Sequence, residues 1–114
     1  MNGKVMTIGN AERIIREMAN RIVERFRPEK IILFGSYARG TAGPDSDADF
    51  LVVMPVEGSR RELSVRIATE ISGLGLPKDV VVVTPEEVER DRNAVGTLIK
   101  PALHEGRVLF ERHA

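Results

Sequence analysis

The segments Phe34-Gly35-Ser36-Tyr37-Ala38-Arg39-Gly40 and Ser46-Asp47-Ala48-Asp49-Phe50-Leu51-Val52-Val53, with ten residues between Ser36 and Asp47, decide how this chain is read. Ile31-Ile32-Leu33-Phe34 is a short apolar run stopped by Gly35, the pattern of a buried strand. A glycine there lets the backbone turn sharply and approach a ligand closely. Backbone N–H groups in such a turn form an anion site; Ser36 adds a hydroxyl donor and Arg39 a cationic fork shaped for phosphate. Asp47 and Asp49 stand two apart at the entry of the next apolar strand, Ala48 to Met54, so both carboxylates project from one face. Adjacent like charges repel unless a cation lies between them, and hard oxygen donors suit Mg²⁺ or Mn²⁺. Each feature alone also fits an ordinary turn with a solvated arginine, or two solvent-facing aspartates.

Outward from this centre, residues 1–9 read as a flexible leader and residues 10–114 as one domain. Ile14, Ile15, Met18, Ile22, Val23 and Phe26 recur at helical spacing, with Asn10 as the expected N-cap and Pro28 as the stop. Residues 40–46 are dense in turn formers. A second helix is expected over Arg60–Ser72, then a valine-rich strand over Asp79–Thr84. Thr84-Pro85-Glu86-Glu87 spells a capping box with proline at the first helical position. Val95–His104 contains Pro101 and is expected as a kinked helix or two short pieces, capped by Gly106 and followed by a small strand at Val108–Phe110. The fold class is α/β (α+β): a single small domain with a mixed β-sheet flanked by helices. Asp79, at the start of the valine strand, is a third carboxylate able to face the first two and complete a two-metal site.

Composition narrows the classes. The chain has 114 residues, with 17 basic and 17 acidic side chains, so no global field draws it to nucleic acid or to an anionic membrane. It contains no cysteine, which removes disulfides, thiolate zinc sites and thiol nucleophiles. No apolar run is long enough to cross a bilayer, and a cytoplasmic location is the default expectation. A Walker loop is excluded because no Gly-Lys-Ser/Thr follows Gly35.

With the two motifs joined by their spacing, the chain resembles the minimal nucleotidyltransferases of the DNA polymerase β superfamily over roughly residues 10–110. The resemblance implies a polymerase β-type nucleotidyltransferase fold. It implies that Gly35 and Ser36, with Arg39, contact the phosphates of a nucleoside triphosphate, with ATP the usual donor. It also implies that Asp47, Asp49 and Asp79 are the catalytic carboxylates and ligate two divalent ions, Mg²⁺ or Mn²⁺. Minimal members resemble the MntA-like antitoxin half of MNT/HEPN modules. The implied partner is then a HEPN-type toxin encoded nearby, silenced when AMP is added to one of its tyrosines. Neutralisation by docking alone, or transfer to a small molecule or RNA across a homo-oligomer interface, are the alternatives. The intact set of carboxylates and the Gly-Ser turn speak against an idle site.

Elsewhere the ordinary roles are favoured. His104 and His113 read as structural or solvated, Tyr37 as packing at the turn, and Met6, Met18 and Met54 as disorder or core. Arg60, Arg61 and Arg66, interleaved with Glu62 and Glu70, read as a solvated helix surface.

Overall fold

The sheet is built around a strand that is buried on both faces. The computed structural model describes residues 8–113, in the order α1 (Ile8–Phe26), β1 (Lys30–Phe34), α2 (Ser36–Arg39), β2 (Ala48–Val53), α3 (Arg60–Glu70), β3 (Lys78–Val83), α4 (Pro85–Asp91), α5 (Ile99–Glu105) and β4 (Arg107–Glu111). The four strands lie in the order β3-β2-β1-β4. β1 is antiparallel to both β2 and β4, and β2 and β3 run parallel. α3 makes the crossover that a parallel pair requires. The expected mixed sheet flanked by helices is the fold observed.

Alternation along β2 sorts the core. Ala48, Phe50 and Val52 pack with Ile15, Met18 and Ile22 of α1 and Ile67 of α3. Leu51 and Val53 point the other way and pack with Ile99 and Ala102 of α5 and Val83 of β3, with Val88 of α4 alongside. Burial on both faces explains why β2 reads as a continuous apolar run rather than an alternating one.

The helix limits follow local chemistry, with three departures from expectation. α1 starts at Ile8, so Asn10 lies inside the helix rather than capping it, and its Oδ1 accepts from Arg13 Nη2 at 2.6 Å. The leader expected over residues 1–9 falls outside the described residues for positions 1–7, while Ile8 and Gly9 belong to α1. The helix expected over Val95–His104 begins only at Ile99; Pro101 sits in its first turn, where the missing N–H has no intrahelical partner to lose, and there is no mid-helix kink. By contrast, Thr84 and Glu87 form both halves of the capping box.

The arginines of α3 depart from expectation as well. Arg60 is not simply solvated: it forms a bidentate pair with Glu87 of α4, at 2.8 and 2.9 Å, and donates to the carbonyl of Val82 at 3.3 Å. Arg66 stands over the Phe26 ring, 5.5 Å from its centroid, and ties α3 to α1. Residues 22 and 27 positions apart in sequence from Arg60, Val82 and Glu87, are brought to it only by the crossover.

Candidate active site

The two motifs meet where the C-terminal end of β1 lies against the N-terminal end of β2, with the N-terminal end of β3 on the other side of β2. Register pairs Phe34 of β1 with Asp49 of β2, and Asp49 with Asp79 of β3. Residues in register on neighbouring strands share a face, so Asp49 and Asp79 stand side by side, about 4.8 Å apart in the strand-to-strand direction. That face is the one carrying Leu51, Val53 and Val83, and α4 and α5 cover it farther along. Asp47 is one residue before β2, close enough for its charge to act on Asp49.

Gly35 is fitted to this arrangement twice over. Its φ of 78° and ψ of −157° lie in a region essentially open only to glycine. A Cβ at position 35 would also overlap Oδ2 of Asp49. The backbone then enters α2 directly at Ser36, and the amides of Ala38 and Arg39 both donate to the carbonyl of Gly35 at 3.1 Å. Thus the turn expected after Gly35 is a four-residue helix whose first N–H groups, those of Ser36 and Tyr37, precede its internal bonds. Tyr37 packs against the core, as expected of it.

Electrostatics bind the residues into one cluster. Burial, then the charges of Asp79 and Asp47, push the Asp49 carboxyl above its ordinary value, while Arg39 pulls it partway back. Arg39 lies 3.9 Å from Glu105 at the end of α5. Glu105 was not foreseen from sequence; a glutamate in the last turn of a short helix carries no signal of its neighbour 66 positions earlier. All six residues singled out from sequence, Gly35, Ser36, Arg39, Asp47, Asp49 and Asp79, therefore belong to this one corner of the sheet.

The donor set is oxygen only, and no ion pair engages Asp47, Asp49 or Asp79 among the described residues. Such a set fits a hard divalent cation. Among the described residues no three acidic or histidine side chains close into a complete ligand cluster. The Asp49–Asp79 pair is the part of the donor set that strand register itself holds. A hollow of about 650 Å³ lined by Val23, Glu24, Arg27, Pro28, Phe110 and Arg112 lies at the opposite end of β1 and brings together no comparable carboxylates.

Comparison with known proteins agrees with the fold. The model of the nucleotidyltransferase domain family matches residues 15–109. The chain belongs to that family. A Methanocaldococcus jannaschii protein, named for a proposed protein adenylyltransferase activity, is 33% identical over 104 residues, spanning 89% of this chain and 99% of the relative. A second protein of that organism with the same descriptive name is 35% identical over 52 residues, 46% of this chain and 60% of the relative. Among solved structures, a nucleotidyltransferase from Sulfolobus solfataricus superposes with a TM-score of 0.65 at 21% identity, covering 97% of this chain and 91% of the other. A chain of a mutant MntA–HpeT toxin–antitoxin complex gives a TM-score of 0.50 at 21% identity, with 94% and 75% covered. At such identities the structural matches speak for the nucleotidyltransferase fold. The chain is thus a nucleotidyltransferase, and among the described residues no helix is long and apolar enough to cross a membrane.

Proposed function

We propose that this nucleotidyltransferase transfers AMP from ATP to a hydroxyl group of a protein, using the corner formed by Gly35, Ser36, Asp47, Asp49 and Asp79. The observation that carries the reading is the register of Asp49 with Asp79 beside a Gly35 that leaves room for the Asp49 carboxylate. A protein acceptor is supported by the relative that aligns over 99% of its own length. A HEPN-type helical toxin as that acceptor follows from the resemblance of the motifs and accords with the fold shared with the MntA–HpeT complex.

The acceptor oxygen attacks the α-phosphorus and forms the new O–P bond. The bond from that phosphorus to the bridging oxygen breaks, and pyrophosphate leaves with its electron pair. Asp79, exposed at the entry of β3, takes the hydroxyl proton. The backbone amides that open α2 and the Ser36 hydroxyl orient the β- and γ-phosphates, and Arg39 adds positive charge beside them. Asp47, Asp49 and Asp79 would hold Mg²⁺ or Mn²⁺, which when bound neutralises triphosphate charge and polarises the reacting oxygens. Binding energy goes into positioning, as in phosphoryl transfer generally.

Incubation with α-labelled ATP, Mg²⁺ or Mn²⁺ and the protein encoded beside this one tests the reading. Label on a tyrosine of the partner, lost with Asp47→Asn/Asp49→Asn, is the expected result. Full neutralisation of the partner by the double mutant, with no label in either case, would sink it in favour of docking.

A further inference from the structure

β3 is an edge strand, and its hydrogen-bonding parity leaves the segment next to Asp79 unpaired. Ala48 N–H donates to the carbonyl of Pro77 at 2.8 Å, and Met54 N–H to that of Val83 at 3.0 Å. In a parallel pair with this register, the odd-numbered residues 79, 81 and 83 direct both backbone groups toward β2, and Pro77, which has no N–H, directs its carbonyl there. The N–H and C=O groups of Lys78, Val80 and Val82 therefore point away from the sheet. Arg60 confirms the direction at one end, because it reaches the Val82 carbonyl from outside. No comparable contact covers Lys78 or Val80 among the described residues. The open edge is thus Lys78–Val80, centred on Asp79.

Such an edge is a template for another strand, and natural proteins usually bury or bend their long ones. Here the free portion is short and ends in the candidate active site. We propose that the acceptor protein presents its hydroxyl on an extended segment that adds to the open edge of β3 beside Asp79. This deepens the protein-acceptor reading and rests on it. A residue set opposite Asp79 on the added strand has its side chain on the same face as Asp79 and Asp49, about 4.8 Å farther out. Backbone pairing supplies affinity without demanding a particular sequence, and alternate side chains supply the choice. Lys78 bonds to the Ser72 hydroxyl at 3.0 Å and has no carboxylate partner among the described residues, so an acidic residue immediately next to the acceptor, on Lys78's face, complements the edge.

The strand geometry provides its own test. Proline at position 80 removes an N–H that points outward, while the bonds to β2 made by residues 79 and 81 are untouched. The probes are a blocked Val-Glu-Tyr-Glu-Val peptide, the same peptide with both glutamates N-methylated, and N-acetyltyrosinamide, which cannot pair as a strand. Wild-type protein is expected to adenylylate the peptide with a kcat/KM at least tenfold above that for N-acetyltyrosinamide. Val80→Pro and the N-methylated peptide should each erase that preference, Val80→Ala should keep it, and transfer to N-acetyltyrosinamide should stay within twofold in all variants. Hydrogen exchange at the Lys78 and Val80 amides should slow on saturation with the peptide in wild-type protein and not with its N-methylated form. Transfer to the peptide with no change in exchange and no effect of Val80→Pro or N-methylation would overturn the edge while leaving protein adenylylation standing. Slowed exchange at Lys78 and Val80 with no label on any tyrosine would keep the edge and overturn the acceptor chemistry. Label on an RNA oligonucleotide alone, with unchanged exchange in the peptide mixture, would overturn both.

Discussion

Asp49 Oδ2 occupies the space that a β-carbon on Gly35 would fill, so the turn and the carboxylate form one fitted unit. The two residues are neighbours because Phe34 pairs with Asp49 across the antiparallel β1–β2 ladder, which brings Gly35 to the level of the carboxylate. Gly35→Ala meets two penalties: a backbone conformation that disfavours any Cβ, and the displacement of Asp49. The expected cost is about 1–3 kcal/mol of stability from the backbone alone. Nucleotidyl transfer should fall on the order of 10²-fold, as for a catalytic group misplaced by about 1 Å. Denaturant unfolding and a single-turnover assay check the two effects separately.

Asp49 is itself strained electrostatically by burial and by Asp79 and Asp47. A carboxyl with a raised folded pKa binds its proton more tightly when folded. Stability from this group is therefore highest below its ordinary value of 3.8 and falls as pH rises through the folded value. Asp49→Asn should leave thermal stability at pH 7 equal to or above that of the wild type, while activity falls about 10²- to 10³-fold. Mg²⁺ should raise the wild-type Tm and leave the Asn variant nearly unchanged. A melting series with and without Mg²⁺ reads both, and a destabilised variant that still responds to Mg²⁺ would contradict the assignment.

The Arg60–Glu87 pair predicts an acid-sensitive joint. The side-chain hydrogen bonds from Arg60, followed by the backbone amide of Thr84, lower the Glu87 carboxyl to about 2. A depressed carboxyl contributes stability that is full above its ordinary value of 4.5 and is lost as pH falls toward about 2. Arg60→Met should cost about 1 kcal/mol near pH 7, the upper end for an accessible pair. The difference between variant and wild type should shrink between pH 4.5 and about 2. Urea unfolding across that range measures it.

Gly106 makes a contrasting case. Its φ of −79° is open to any residue, so the backbone alone does not call for glycine. A Cβ there would run into the Ala102 carbonyl, the Leu33 carbonyl and Cγ2 of Ile32. Gly106→Ala is expected to lose about 1–3 kcal/mol through overpacking. Gly40, also past the end of a helix but with no atom within 4 Å of a built Cβ, should lose only the cost of its left-handed φ of 79°. Alanine at both positions, compared by thermal melting, separates crowding from conformation.

Much of the site was legible because its chemistry is written in short stretches. Gly35 and Ser36 follow a buried strand directly, Asp47 and Asp49 open the next one, and Thr84 to Glu87 carry a cap that needs no distant residue. Helix boundaries were less legible: Asn10 looks like a cap in isolation, yet α1 already includes it, and Pro101 suggests a kink until the first turn is found to begin at Ile99.

What the sequence by itself determined was the set of strands and turns and the two motifs, since backbone propensity, strand alternation and capping act over a few residues. What only the tertiary structure decided was which of these meet. The parallel pairing of β2 with β3 places Asp79 beside Asp49, seats Arg60 on Glu87 and leaves the outer edge of Lys78–Val80 open. Strand order and register come from burying both faces of β2 at once, a condition on the whole chain that no local window contains.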